Sequence, residues 1–198
     1  MSFPVGPRLH LFTGMLGGPF TSSRLSKLFA LLRAGIVRIT GSPKCALNAP
    51  VYAARSDDGF PLHADDLFLT NHLWLIFDNV PKGEPGASLF LPTKSLAQIV
   101  GAMTEMPRSI RSRLRNLLEC RVERDSFDEL YGLLYSQDNP WAKENLRCLR
   151  RSQWRIKLNR GEGYLLDDHR WLHGREALSG AVSASRFRRL VFGRLQSI

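Results

Sequence analysis

The chain has 198 residues, is 43% apolar and carries a formal charge of +10. That length suits one domain over 1–198, able to bury about 70% of its unfolded surface. No run approaches the ~20 apolar residues that span a bilayer, Met1–Arg8 lacks the basic start and apolar core of a signal peptide, and Cys45, Cys120 and Cys148 form no CxxC pair. A membrane span and a disulfide framework are therefore set aside, and a cytoplasmic protein with reduced thiols is expected.

Thr21-Ser22-Ser23 predicts a helix start, with Leu25, Leu28, Phe29 and Leu32 on one apolar stripe and Gly35 as a stop. Ile36–Ile39 then predicts a strand. The segments Gly14–Pro19 and Ser42–Pro50 are expected as loops, and Val51–Arg55 as a strand turned by Ser56-Asp57-Asp58-Gly59 into Phe60–Leu69. That last segment carries His63 and Asp65. Residues i and i+2 of a strand share a face, so these two can grip one ion while Ala64 points away.

Leu67–Thr70 and Leu73–Phe77 are near-continuous apolar runs, as in strands covered on both sides; His72 between them is expected to be an ordinary strand-end histidine. Pro81–Gly86 reads as a turn and Ala87–Leu91 as a strand. Ser95-Leu96-Ala97-Gln98 has the form of a capping box, predicting a helix to about Met106. An arginine-dense stretch from Pro107 to Arg124 keeps Ile110, Leu114, Leu117 and Leu118 at helical spacing. Asn139-Pro140-Trp141 predicts another helix, with asparagine as cap and proline in the first turn. Together these form a helical insert at about 95–152.

Gln153–Leu158 alternates like a half-buried strand, and Arg160–Gly163 turns into the apolar run Tyr164–Leu166. That run breaks into Asp167-Asp168-His169-Arg170-Trp171-Leu172-His173-Gly174-Arg175. Further on, Arg186–Arg194 predicts a strand with Arg186, Arg188 and Arg194 on one side and Arg189 on the other. A strand that ends by presenting His173 from a charged turn suggests a metal. With His63 and Asp65 it completes the two-histidine, one-carboxylate set of non-haem Fe(II) sites.

At these residues the chain resembles a known family. His63-Ala64-Asp65 and the later Asp167–Arg175 segment are similar to the Fe(II)/2-oxoglutarate-dependent dioxygenases. The likeness is to the clavaminate synthase, taurine dioxygenase and γ-butyrobetaine hydroxylase branch, whose distal motif reads roughly Asp-Asn-x-Arg-x-Leu-His-Gly-Arg. Here Asp168 stands where that branch usually has asparagine, and the chain is short for it. The resemblance covers roughly Phe60 to Arg194. It implies a mainly β fold with flanking helices, a double-stranded β-helix (a cupin-like jelly-roll), with the insert as a lid.

The resemblance also implies the chemistry. His63, Asp65 and His173 would be the catalytic metal ligands, with Fe(II) as the ion and 2-oxoglutarate and O2 as cosubstrates. Arg188 would anchor 2-oxoglutarate through its planar fork, with the hydroxyl of Ser88 assisting. Pro85-Gly86-Ala87-Ser88 resembles the family's Gly-Gly-x-Thr/Ser element with one glycine replaced; Ser88 can equally be a plain turn residue. Arg186 and Arg194 could meet a substrate carboxylate. The implied reaction is oxidation of an unactivated C–H of a small molecule, an amino acid or a derivative in biosynthesis. Hydroxylation, desaturation and cyclisation are all open to it, with release of succinate and CO2.

The basic charge fits either a solvated surface with snorkelling arginines or an anionic partner such as nucleic acid. An oxygenase acting on nucleic acid or protein is therefore the alternative, followed by a non-catalytic metal-binding jelly-roll. No Gly-x-Ser-x-Gly element or phosphate-binding glycine loop is present.

Overall fold

The computed structural model describes residues 2–4, 9–14, 21–40, 45–52, 59–64, 71–78, 86–119, 124–136, 138–159, 161–167, 170–177 and 186–192. The strands are β1 (Ser2–Pro4), β2 (Leu9–Phe12), β3 (Cys45–Tyr52), β4 (Phe60–His63), β5 (Asn71–Asp78), β6 (Ser88–Pro92), β7 (Trp154–Ile156), β8 (Gly163–Leu166), β9 (Trp171–Arg175) and β10 (Arg186–Phe192). The helices are α1 (Ser22–Thr40), α2 (Thr93–Ala102), α3 (Arg108–Glu119), α4 (Arg124–Tyr135) and α5 (Ala142–Ser152). With this share of helix the chain is a mixed helix and antiparallel-sheet protein rather than a mainly β one.

Two sheets form. The larger runs β1-β2-β8-β5-β10-β3 and the smaller β4-β9-β6-β7, and every described pairing is antiparallel. The smaller sheet is covered on both sides, and strand alternation sorts its residues accordingly. Leu62, Ala64, Leu89, Leu91 and Leu172 pack into one core with Leu96, Val100, Leu114, Leu118, Leu130 and Leu134 of the helices. Phe90 and Trp171 point the other way, into a second core with Leu9, Leu11, Tyr164 and Leu166 of the larger sheet. Alternate residues thus serve two cores, which is why these strands read as almost unbroken apolar runs.

Several boundaries differ from the expectation. Helix α1 continues through Gly35 to Thr40, so Ile36–Ile39 is helical and not a strand. A lone glycine costs a helix only about 1 kcal/mol, and of the expected stripe Leu28 and Leu32 are buried. Of the expected loop at Ser42–Pro50, the described part from Cys45 on is strand β3, which fills the larger sheet's edge beside β10. Helix α2 starts at Thr93, before the Ser95 capping box. The Thr93 N–H donates to the Arg170 carbonyl at 2.9 Å and its hydroxyl to the same oxygen, so docking to the β8–β9 turn sets the start. It ends at Ala102, short of Met106.

Asn139 does not cap α5, which starts at Ala142 after Trp141. Its amide donates back to the Gly132 carbonyl at 2.8 Å, and Trp141 Nε1–H donates to Leu133 at 3.3 Å. The Leu133 carbonyl is one that the end of α4 leaves open, while the Gly132 carbonyl also accepts the Ser136 N–H at 3.2 Å. The expected strand at Leu67–Thr70 lies outside the described residues. No helix among the described residues is long and apolar enough to cross a membrane.

Candidate metal centre

Strands β4 and β9 are neighbours, and His63 stands directly opposite His173. Their ring centroids are 4.6 Å apart at an interplanar angle of 38°. His173 is 3% exposed and points at the larger sheet, where its Nδ1 lies 3.1 Å from the Tyr164 hydroxyl. The Tyr164 ring also meets Phe90 edge-on at 4.8 Å. Both histidines therefore sit on the inward face, between the sheets.

Their hydrogen bonds define which nitrogen can ligate. His63 Nδ1 is 2.8 Å from the Pro61 carbonyl, and a carbonyl only accepts, so Nδ1 carries the proton and donates. The lone pair of His63 is then on Nε2. His173 can do the same, with Nδ1–H donating to the Tyr164 oxygen. A ring nitrogen tied to an oxygen while the other turns to an ion is the arrangement that metal-ligating histidines adopt. The donor set thus fits a divalent ion of the iron or zinc type.

Two local features bring the histidines into register. The Asp167 carbonyl accepts the N–H groups of Arg170 at 3.0 Å and Trp171 at 3.1 Å, closing the turn from β8 into β9. Strand β4 is irregular between Phe60 and His63, and its backbone presses on Gly174. A Cβ added there would lie 2.6 Å from the Phe60 oxygen and 2.9 Å from the Pro61 oxygen. Glycine in His173-Gly174-Arg175 is thus a requirement of close strand approach.

Two residues beyond His173, Arg175 faces the same way. It is 8% exposed, opposes Ser88 on β6 and Phe60 on β4, and its guanidinium carbon sits 5.4 Å from the Phe60 ring centre. Burial lowers its pKa from the ordinary guanidinium value, although a guanidinium stays charged at neutral pH. Sequence reasoning gave Arg175 no role; the signal that could have found it is its i+2 spacing from His173 on a strand. Next to it, Glu176 is held below the usual carboxylate range by hydrogen bonds from the Arg155 guanidinium.

The expected site residues divide as follows. His63 and His173 come together, and Ser88 is buried on β6, two cross-strand pairs along from His173. Asp65 and Arg194 lie outside the described residues, and among the described residues no group of three possible ligands forms. Arg188 occupies the middle of β10, opposite Leu75 of β5 and Pro50 of β3, and Arg186 begins that strand opposite Asp78 and Tyr52. His72 lies on β5 beside Leu166 of β8. A separate cleft of about 820 Å³ is lined by Leu62, Leu89, Tyr135, Leu149 and Arg150. Phe60, Pro61 and Arg175 also line it, and neither histidine does.

No family model matches the chain, and no curated relative is found. Among solved structures the fold has clear counterparts, and these are iron- and 2-oxoglutarate-dependent oxygenases. The PvcB protein of Pseudomonas aeruginosa is 18% identical at a TM-score of 0.50, over 94% of this chain and 75% of its own. A second PvcB structure, described as an Fe, α-ketoglutarate-dependent oxygenase from an isonitrile synthetic pathway, is 17% identical at 0.48 over the same shares. A taurine dioxygenase of Burkholderia xenovorans is 9% identical at 0.50, over 88% of this chain and 83% of its own. At these identities the likeness is one of fold.

Proposed function

We propose that the chain is an Fe(II)- and 2-oxoglutarate-dependent oxygenase of small molecules, built on a double-stranded β-helix. The observation that carries this reading is His63 facing His173 in register, with each Nδ1 tied to an oxygen and each Nε2 suited to one shared ion. Asp65, one residue past Ala64, is the third ligand in this reading. Iron with 2-oxoglutarate and O2 would supply an oxidant able to attack an unactivated C–H bond.

The chain's own residues position and shield. Tyr164 and the Pro61 carbonyl orient the two imidazoles. The apolar core around Phe90, Trp171 and Leu166 covers one side of the histidine pair. Ser88 and Arg188 are the proposed partners of 2-oxoglutarate, and Arg186 and Arg194 those of a substrate carboxylate. A small amino acid or derivative is the substrate class we favour, consistent with the names of the structural counterparts. Location in the cytoplasm belongs to the same proposal.

Anaerobic addition of Fe(II) and 2-oxoglutarate tests the assignment. The wild-type protein should develop a weak visible charge-transfer band and, once O2 is admitted with a suitable amino acid or derivative, release succinate, and His173→Ala should do neither. A wild-type protein that binds no Fe(II), or a His173→Ala variant with an undiminished band, would sink the assignment.

A further inference from the structure

Strand β4 ends the smaller sheet: β9 lies on one side of it and, among the described residues, no strand on the other. An edge strand leaves alternate N–H and C=O groups without a ladder partner. At β4 those groups are taken by a helix. The Tyr131 hydroxyl accepts the Ala64 N–H at 2.9 Å, and the Tyr135 hydroxyl donates to the Leu62 carbonyl. These two backbone groups flank His63 on either side, and Leu62 and Ala64 are themselves buried.

The geometry is mutually consistent. In an extended chain, a Leu62 C=O and an Ala64 N–H that point to the open edge turn the N–H and C=O of His63 toward β9, where His173 is its partner. Tyr131 and Tyr135 are four residues apart on α4, on one face, with ring centroids 5.5 Å apart. One helical turn, about 5.4 Å, roughly matches the two-residue step of a strand, about 6.6 Å. Burial raises the pKa of the Tyr135 hydroxyl, so it remains protonated and able to donate.

We infer that Tyr131 and Tyr135 are positioning residues of the metal centre, their hydroxyls standing in for a fifth strand and aligning the segment that presents His63 and leads into Asp65. This rests on the proposed metal reading. It gives α4, part of the insert, a task beyond covering the sheet: the helix holds the ligand strand by its backbone. The tyrosines touch neither metal nor substrate in this account and act only through that strand.

Co(II) titration of the intact chain tests the inference, using Tyr131→Phe and Tyr135→Phe, which keep the rings and remove only the hydroxyls. Partners that orient metal ligands typically change affinity by about 10–100-fold. Each variant should weaken Co(II) binding roughly tenfold and shift the visible d–d bands, and the Ala64 amide should exchange faster in Tyr131→Phe. A merely structural role would lower the unfolding midpoint while leaving affinity and spectrum of the folded protein unchanged, which overturns the inference. If wild type binds Co(II) and His63→Ala does not, the centre stands and the tyrosine result is decisive. If wild type binds no Co(II), the metal reading itself has failed and this inference falls with it. Should Tyr135→Phe fail to fold, Tyr131→Phe alone decides.

Discussion

The two faces of the smaller sheet are made by the same four strands and have opposite characters. Toward the helices it shows Leu62, Ala64, Leu89, Leu91 and Leu172, all aliphatic and buried. Toward the larger sheet it shows Ser88, Phe90, Trp171, His173 and Arg175, where polar groups interrupt the apolar ones. The difference teaches that stability and chemistry are written on alternate residues of one element. A change on either face should have its own signature, and a change that crosses the sheet should have both.

The largest effect is expected on the helix side. Leu91 is 1% exposed, and Leu91→Ala should cost about 2–5 kcal/mol by opening a cavity, read as a lower denaturant midpoint with metal affinity of the folded fraction retained. Gly174→Ala should break the separation of the faces. Its Cβ meets the Phe60 carbonyl at 2.6 Å, so β4 must move. About 1–3 kcal/mol should be lost together with metal binding, because His63 leaves register with His173. The smallest effect belongs to Tyr164→Phe on the inner face. It removes the oxygen near His173 Nδ1 and should cost about 1 kcal/mol of stability, with metal affinity falling more visibly than the melting temperature. Equal losses from Leu91→Ala and Tyr164→Phe in both measurements would erase the distinction between the faces.

Much of this was legible in the residues. His63 and His173 stood out because a histidine in a strand followed by a carboxylate, and another after a charged turn, have few structural reasons to be there. Apolar runs marked β5, β6 and β8, and the alternation at Trp154–Ile156 marked β7. What was not legible depended on tertiary contacts. Helix α2 starts where Arg170 receives it, and α1 runs through Gly35 because nothing stops it there. Helix α4 escaped notice although Leu130 and Leu134 sit at helical spacing. The roles of Tyr131 and Tyr135 could not be read at all, since the strand edge they serve is more than sixty residues away. Arg175 was visible only as part of a motif, and its burial beside Phe60 required the fold.

The pairing of His63 with His173 also bears on how the protein assembles. The partners are separated in the chain by the entire helical insert, so no local fragment contains the pair, and the entropy of closing so long a loop must be met before the two can meet. A divalent ion would then bind the completed architecture far better than any early intermediate. Loading should accordingly slow unfolding and draw the chain toward its finished state by mass action.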